Sequence, residues 1–291
     1  MVQFSSAVIG GLTLGAIYAL VALGVVLIFR ATDTFNFAHG QFMLLGAFLV
    51  GKWQLDSAAP FMVILAASLL IVGAVGAALY WIVLRKTVGR PHFIPVIATL
   101  GFAAVADGAM SRIFGSRQYV IQVPGMPTGT TKILGASFST ASLVITVFAT
   151  VLALSVVLAF RYTSIGIKVR AAGQDPLLAS QGGVNVHWVY VGSWAFSCVL
   201  AAVAGIAYGS INVANPGMIE LAMLAFPAAL LGGLDSIPGS LLGGMMIGLL
   251  QGFTASYVGG EYVNVVTYVL LLVVMLFMPQ GLLGTQKVSR V

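Results

Sequence analysis

The chain is divided into long apolar runs that are joined by short polar connections. Seven runs are long enough to cross a bilayer as an α-helix, which takes about 20 residues; they cover residues 7–29, 60–84, 93–111, 140–160, 188–211, 238–257 and 262–279. Only 7% of the residues are charged and 60% are hydrophobic, whereas a soluble domain has about a quarter charged residues. So few charges cannot cover a water-exposed surface, and the sequence therefore predicts an all-α integral membrane protein.

Two further apolar runs, 40–51 and 220–233, are shorter. As helices they would rise about 18–21 Å, less than the roughly 30 Å of a bilayer's hydrocarbon core. We interpret them as tilted partial spans, re-entrant pieces or halves of broken helices. Together with the seven long runs they predict a polytopic helical bundle of about 8–10 spans.

The basic residues predict the orientation. When both short runs are counted as crossings, one side receives Arg30, Arg85, Lys86, Arg90, Arg161, Lys168, Arg170, Lys287 and Arg290, and the other receives Lys52, Arg112, Arg117 and Lys132. Short loops rich in Lys and Arg stay in the cytoplasm, so the first group and the C-terminus are predicted to be cytoplasmic. This bias accounts for the net charge of +6, and no nucleic acid is expected as a partner.

Two parts of the chain share an order of elements. From residue 7, a long span leads to a polar turn at 33–40, a short run and a further span; from residue 188 the same order follows, with its turn at 212–217. The first long span is predicted to run inwards and the second outwards, which is typical of an inverted repeat with short discontinuous helices. Chance similarity between two apolar stretches stays open as the alternative.

Polar residues flank the two short runs. They are Asn36, His39, Gln41, Asn212, Asn215 and Glu220. Unpartnered polar groups are costly in hydrocarbon, so such residues usually face a bundle interior or a water-filled path. We interpret the cluster as a wall of the substrate pathway. For each residue alone, capping a turn or bonding across an interface is the alternative.

Glycines recur four residues apart within the apolar runs. The set comprises Gly11, Gly15, Gly239, Gly243, Gly244, Gly248 and Gly252. Small residues at this spacing let helix backbones approach closely in lipid. The sequence predicts helix packing within this chain, and contact of 239–252 with a partner protein is the alternative.

The longest predicted cytoplasmic connection carries strong helix signals. Asp175 and Pro176 predict a helix start, because Asp caps free N–H groups and Pro suits the first helical position. Gly182 and Gly183 predict its end. The result is a short amphipathic helix at about 174–182, lying along the membrane surface. It serves either as a capped connector or as a knob that docks in a groove of a partner protein.

Four stretches carry a family resemblance. They are Gly11-Leu12-Thr13-Leu14-Gly15-Ala16-Ile17-Tyr18-Ala19-Leu20-Val21-Ala22-Leu23-Gly24, Phe35-Asn36-Phe37-Ala38-His39-Gly40-Gln41-Phe42-Met43, Arg170-Ala171-Ala172-Gly173 and Gly232-Gly233-Leu234-Asp235-Ser236-Ile237-Pro238-Gly239-Ser240-Leu241-Leu242-Gly243-Gly244. Together they closely resemble the branched-chain amino acid ABC permeases of the LivH type, over nearly the whole chain. The family commonly has an acidic residue where this chain has Gln41.

The resemblance implies a single transmembrane permease domain over 1–291, with a cytoplasmic coupling loop at about 161–187. The residues that it implies for coupling to an ATPase are Arg170, Ala171, Gly173, Asp175, Pro176, Leu177 and Gly182. It implies an importer of the bacterial inner membrane, with a second related permease, two cytoplasmic ATPase subunits and an extracytoplasmic solute-binding protein as partners. The implied solutes are leucine, isoleucine and valine, or related small solutes such as urea and short-chain amides.

Motifs of soluble enzymes are missing from the sequence. It has no G-x-x-x-x-G-K-[ST] phosphate loop, no H-E-x-x-H or paired Cys/His spacing and no G-x-S-x-G elbow. We therefore expect no enzyme activity, metal or cofactor in this chain, and ATP and Mg²⁺ only in partner subunits. An ion-coupled secondary transporter is disfavoured, since it needs buried ion-binding carboxylates and the seven acidic residues are all assigned to loops or span ends. A non-transporting scaffold subunit is the third hypothesis.

Overall fold

The structure is a computed structural model that describes residues 2–87, 90–91, 93–115, 117–133 and 136–284. This part of the chain contains twelve α-helices and one β-hairpin. The helices are α1 (Val2–Thr32), α2 (His39–Asp56), α3 (Phe61–Ile82), α4 (Phe93–Phe114), α5 (Thr140–Tyr162), α6 (Ser164–Gln174), α7 (Pro176–Gln181), α8 (Val186–Ile211), α9 (Met218–Met223), α10 (Ala225–Gly232), α11 (Ile237–Tyr257) and α12 (Val263–Phe277). The strands β1 (Thr130–Ile133) and β2 (Ala136–Ser139) pair antiparallel. The polytopic helical fold predicted from the apolar runs is confirmed.

The long predicted spans all reappear as helices. Over the described residues, seven segments are long and apolar enough to cross a bilayer: Val2–Thr32, Phe61–Thr87, Phe93–Phe114, Thr140–Tyr162, Val186–Ile211, Ile237–Tyr257 and Gly260–Phe277. Each contains or closely matches one of the seven long runs. Lys287 and Arg290, which the orientation argument counts, lie outside the described residues, and the cytoplasmic C-terminus stays a prediction.

The two short runs form different structures. The run 40–51 belongs to α2, which has 18 residues and rises about 27 Å. The helix is longer than the run, since it continues through Lys52 to Asp56, and it still rises less than the roughly 30 Å of a hydrocarbon core. The interpretation of this run as a partial span, a re-entrant piece or half of a broken helix stays a prediction. The run 220–233 is interrupted at Leu224, between α9 and α10. The discontinuous helix predicted for the second half is present.

The described chain forms two compact units, each assembled from separate stretches. The first comprises residues 1–26, 128–157 and 224–291, and the second comprises residues 27–127 and 158–223. The chain passes from one unit to the other four times: within α1, between Pro127 and Thr128, within α5, and between Met223 and Leu224. The single permease domain over 1–291 stays a prediction.

In the second unit, α2 and α3 pack on α8 at glycines. Gly205 of α8 lies directly against the carbonyl group of Met43 in α2. A Cβ added to Gly76 of α3 would stand 2.6 Å from the Sγ atom of Cys198 in α8. Such close backbone approach is how helices associate in lipid, where no hydrophobic force drives them together. This helix cluster supports both polar turns described below.

In the first unit, the spaced glycines bring α1, α10 and α11 together. Gly244 lies against Ala19 of α1. The other contacts pair Gly11 with Gly248, Gly15 with Met245, Gly252 with Ala7, Gly239 with Gly232 and Gly243 with Ala228. None of these positions leaves ordinary van der Waals room for a Cβ. The structure thus places the whole set in contacts within the chain.

A polar network also lies inside the first unit. The Tyr18 hydroxyl donates to Gln251 Oε1 at 2.7 Å, and Gln251 Nε2 donates to Thr267 Oγ1 at 3.0 Å. These bonds join α1, α11 and α12. Interhelical hydrogen bonds of this kind contribute about 0.6 kcal/mol each on average.

The connection between α4 and α5 differs from its sequence prediction. The sequence of residues 118–123, Gln-Tyr-Val-Ile-Gln-Val, predicts a strand-like piece. Within the described part of this connection, however, regular strands form only at β1 and β2. Tyr119 makes an isolated antiparallel bridge with Ala214, and the Ile121 N–H donates to the Gly209 carbonyl. The end of α8 and the turn after it form hydrogen bonds with these backbone groups. The segment therefore needs no partner strand to satisfy them.

Candidate functional site

The first polar turn follows α1 and begins α2. Asn36 Oδ1 accepts a hydrogen bond from the Ala38 N–H at 3.1 Å, and the Asn36 carbonyl accepts from the His39 N–H at 3.2 Å. Asn side chains favour such turns because they reproduce a backbone turn. Asn36, His39 and Gln41 are 1%, 0% and 5% exposed. The turn therefore holds three polar side chains inside the protein.

The second polar turn, between α8 and α9, has the same local construction. Asn215 Oδ1 accepts from the Gly217 N–H at 2.8 Å, and the Asn215 carbonyl accepts from the Met218 N–H at 3.0 Å. Here Asn212 and Glu220 are exposed and Asn215 is half-buried. The six predicted pathway residues thus divide into a buried set and a more exposed set.

The two turns meet in space. A Cβ added to Gly40 would stand 3.1 Å from Ile219 Cγ2, and α2 packs on α9. Gly40 lies four residues after Asn36, and Ile219 lies four residues after Asn215. Equivalent positions of the two turns are therefore in contact. The shared geometry is what the repeat hypothesis predicts, while the inverted relation in the membrane stays a prediction.

α4 supplies two residues to the first turn. Thr99 is fully buried, accepts from the Phe37 N–H at 3.3 Å and contacts the Phe35 carbonyl at 3.5 Å. Gln41 Nε2 donates to Asp107 Oδ1 at 3.4 Å. The sequence argument placed Asp107 near a span end; in the structure it is exposed and lies seven residues before the end of α4. A carboxylate inside an apolar run was a usable signal; Thr99 offered none.

Two buried polar atoms of the first turn are unsatisfied. Over the described residues, Asn36 Nδ2 and Gln41 Oε1 have no hydrogen-bond partner in the protein. A buried amide group without a partner costs about 1–3 kcal/mol. These atoms are one donor and one acceptor, so water or a polar solute could satisfy both. Across the same residues, no cluster of three His, Cys, Asp or Glu could hold a metal ion.

The connection between α5 and α8 contains two helices. α7 begins after Asp175, whose Oδ1 accepts from the Leu177 and Leu178 N–H groups, both at 2.9 Å. Pro176 is its first residue, and the helix ends at Gln181 with Gly182 as its C-cap. The predicted boundaries of the short helix are confirmed. The preceding helix α6 was not predicted, although its buried residues Gly166, Val169 and Ala172 recur every third residue.

α6 rests on α1, α5 and α8 at its C-terminal half. Gly173 lies directly against the Arg30 carbonyl near the end of α1. The Tyr190 hydroxyl donates to the Ala172 carbonyl at 3.0 Å, and Arg170 Nη1 donates to the Phe160 carbonyl at 2.7 Å. The Arg170 side chain therefore stabilises the contact between α6 and α5. Ala171 is half-buried.

α7 presents an apolar surface to solvent. Leu177 and Leu178 are 68% and 64% exposed. Neighbouring Ala179 is buried, and its carbonyl accepts from the Val184 N–H at 3.0 Å. The helix is thus anchored on one side and unpartnered on the other within the described chain. The docking role predicted for this helix from the sequence stays a prediction.

Comparison with known proteins places the chain in a family. The family described as branched-chain amino acid transport system / permease component matches residues 7–277. The chain is 31% identical to the branched-chain permease protein BraD of Pseudomonas aeruginosa, covering 97% of this chain and 96% of BraD. It is also 31% identical to LivH of Escherichia coli, covering 99% and 98%.

A solved structure has the same fold. PsaBC from Streptococcus pneumoniae, in complex with a Fab, aligns with 96% of this chain and 93% of its own chain. The TM-score is 0.50 at 14% identity, so this likeness concerns the fold alone. Family match, relatives and helical architecture agree, and this chain belongs to the family of permease components of branched-chain amino acid transport systems.

Proposed function

We propose that this chain is the pore-forming permease subunit of an ATP-binding-cassette importer for leucine, isoleucine and valine in the bacterial inner membrane. The names of the relatives support the solute class, and the family match supports the permease role. ATP is hydrolysed by two cytoplasmic partner subunits, which hold ATP and Mg²⁺. A second related permease completes the pore, and an extracytoplasmic binding protein delivers the solute.

The proposed coupling mechanism depends on the close contact between Gly173 and the Arg30 carbonyl. A partner ATPase binds the exposed leucines of α7. When the ATPase closes, it moves α6 and α7 together. Because Gly173 has no side chain, α6 touches the α1 backbone without an intervening layer that could absorb the motion. Arg30 lies six residues before Asn36. Movement at the docking helix thus reaches the polar turn over a short path within one compact unit.

The first polar turn is the proposed solute contact. Asn36 Nδ2 can donate to a solute carboxylate, and Gln41 Oε1 can accept from its ammonium group. His39, which is also fully buried, belongs to the same turn. Asn212, Asn215 and Glu220 form the more exposed continuation of this wall. Solute polar groups then satisfy buried atoms that the protein leaves open.

The test is reconstitution of the complex purified through this chain. Proteoliposomes with the binding protein should accumulate leucine only when ATP is enclosed, and leucine, isoleucine and valine should stimulate ATP hydrolysis while urea does not. An inactivating change in the copurified ATPase is the matched control. Uptake that persists without ATP and collapses with a proton or sodium gradient contradicts the proposal. Purification without an ATPase contradicts it as well.

A further inference from the structure

A groove opens beside α6, between the end of α5 and the start of α8. Its volume is about 700 Å³. The walls are mainly apolar and include Phe160, Val169, Val184 and Phe196, with Lys168 as the basic group. Among the described lining residues there is no Asp or Glu. The groove lies wholly within the second compact unit.

Aromatic and basic side chains indicate the depth of the groove in the membrane. Trp188 lines it and is 63% exposed. The Trp188 ring lies 5.8 Å from the Trp81 ring at the end of α3, and the Arg85 guanidinium lies over Trp81 at 4.8 Å. Tryptophan is enriched at the membrane–water interface, where basic residues reach lipid headgroups. The groove therefore opens at headgroup level.

The groove runs along one face of α8. Trp188, Gly192 and Phe196 all line it, and their spacing of four residues puts them on one side of the helix. Trp188 is 63% exposed and Phe196 is 39% exposed. An exposed apolar face on a membrane helix suits contact with an acyl chain, and this face leads from Trp188 along the helix to Phe196.

The local charge favours an anionic occupant. Between residues 159 and 196 the basic residues are Arg161, Lys168 and Arg170, and the acidic residue is Asp175. The Asp175 carboxylate caps α7, and Arg170 is bonded to a carbonyl. Lys168 is exposed and makes no ion pair within the described chain. Basic pockets at this depth attract anionic headgroups.

We propose that this groove binds an anionic phospholipid, with one acyl chain between α5 and α8 and the headgroup phosphate at Lys168. The groove is lined by α6 on one side and by residues 183–185, directly after α7, on the other. The lipid therefore contacts both α6 and the residues that follow α7, which belong to the predicted coupling loop. Binding depends on the groove alone, while an effect on ATP hydrolysis rests on the proposed function.

Filling the groove tests the acyl-chain contact. Gly192 lines it, and a Cβ added there meets no atom within 4 Å, so Gly192→Leu projects into open space without straining the fold. Gly108→Leu on α4 is the matched control, since a Cβ at Gly108 also meets no atom within 4 Å and Gly108 does not line the groove. Native mass spectrometry of the purified complex with phosphatidylglycerol should show severalfold less bound lipid for Gly192→Leu only.

Removing the charge tests the headgroup contact. Lys168→Gln should weaken phosphatidylglycerol binding about fivefold, the loss expected for one basic residue at an anionic surface, and leave phosphatidylcholine binding unchanged. Lys132→Gln, an exposed lysine of the β-hairpin, is the matched control. In nanodiscs, phosphatidylglycerol should stimulate ATP hydrolysis by the parent complex more than by Lys168→Gln.

Three results would overturn the inference. Gly192→Leu could bind as much phosphatidylglycerol as the parent, or Lys168→Gln could weaken both lipids equally. Gly192→Leu could also keep its lipid but release the ATPase subunit, which would make the groove a protein contact. Lipid binding is measured by mass, so failure of the transport proposal leaves this test readable.

Discussion

Removing the cap of α7 tests the coupling mechanism most directly. Asp175→Ala eliminates the acceptor of two 2.9 Å hydrogen bonds. Loss of an N-cap costs about 0.5–2 kcal/mol, typically about 1. α7 has six residues, far fewer than an isolated helix needs for stability. Its folded population therefore depends on the cap, and a loss of about 1 kcal/mol lowers the local folding equilibrium about fivefold.

The assay compares leucine-stimulated ATP hydrolysis with leucine uptake in proteoliposomes. Both should fall together by up to about fivefold in Asp175→Ala, while the amount of complex in the membrane stays the same. Asp175→Asn is the matched control, because Asn caps helices as well as Asp does. Parent rates in the Ala variant would refute the argument. Equal impairment of the Asn and Ala variants would show that charge matters and capping does not.

Two further substitutions probe close contacts. Gly173→Leu should abolish leucine-stimulated ATP hydrolysis with normal membrane insertion, because its side chain would displace α6 from the Arg30 carbonyl. Leucine uptake at the parent rate would contradict the proposal that the contact between Gly173 and Arg30 transmits the motion. Gly248→Leu should lower the thermal stability of the purified protein, since overpacking at the Gly15 backbone costs about 1–3 kcal/mol or more. Gly101→Leu is the control and should leave the thermal stability unchanged, because a Cβ at Gly101 meets no atom within 4 Å.

Several features follow from the sequence because their causes are local. A helix of about 20 apolar residues satisfies its own backbone hydrogen bonds in lipid, so the seven long spans are visible as runs. The same holds for α7, whose start and end depend on Asp175 and Gly182 and their immediate neighbours. The two Asn turns were recognised as polar interruptions, although their matching bond pattern was not.

Other features depended on residues far apart in the chain. The length of α2 was underestimated, because the run of apolar residues stops before Lys52. The helix itself continues to Asp56. Residues 118–123 were given strand character without knowledge that the end of α8 takes their backbone groups. Asp107 was placed near the end of its span, but its contact with Gln41 of another helix was not predicted.

The amino-acid sequence alone therefore determined that this is a polytopic membrane protein, where its long helices run and where the short helix α7 begins and ends. The tertiary structure decided which glycine faces which backbone, that Gly40 meets Ile219, that Gly173 rests on Arg30 and that Lys168 stands in an apolar groove. The physical reason is range: hydropathy and capping act within a few residues, whereas contacts between helices depend on how the whole chain packs.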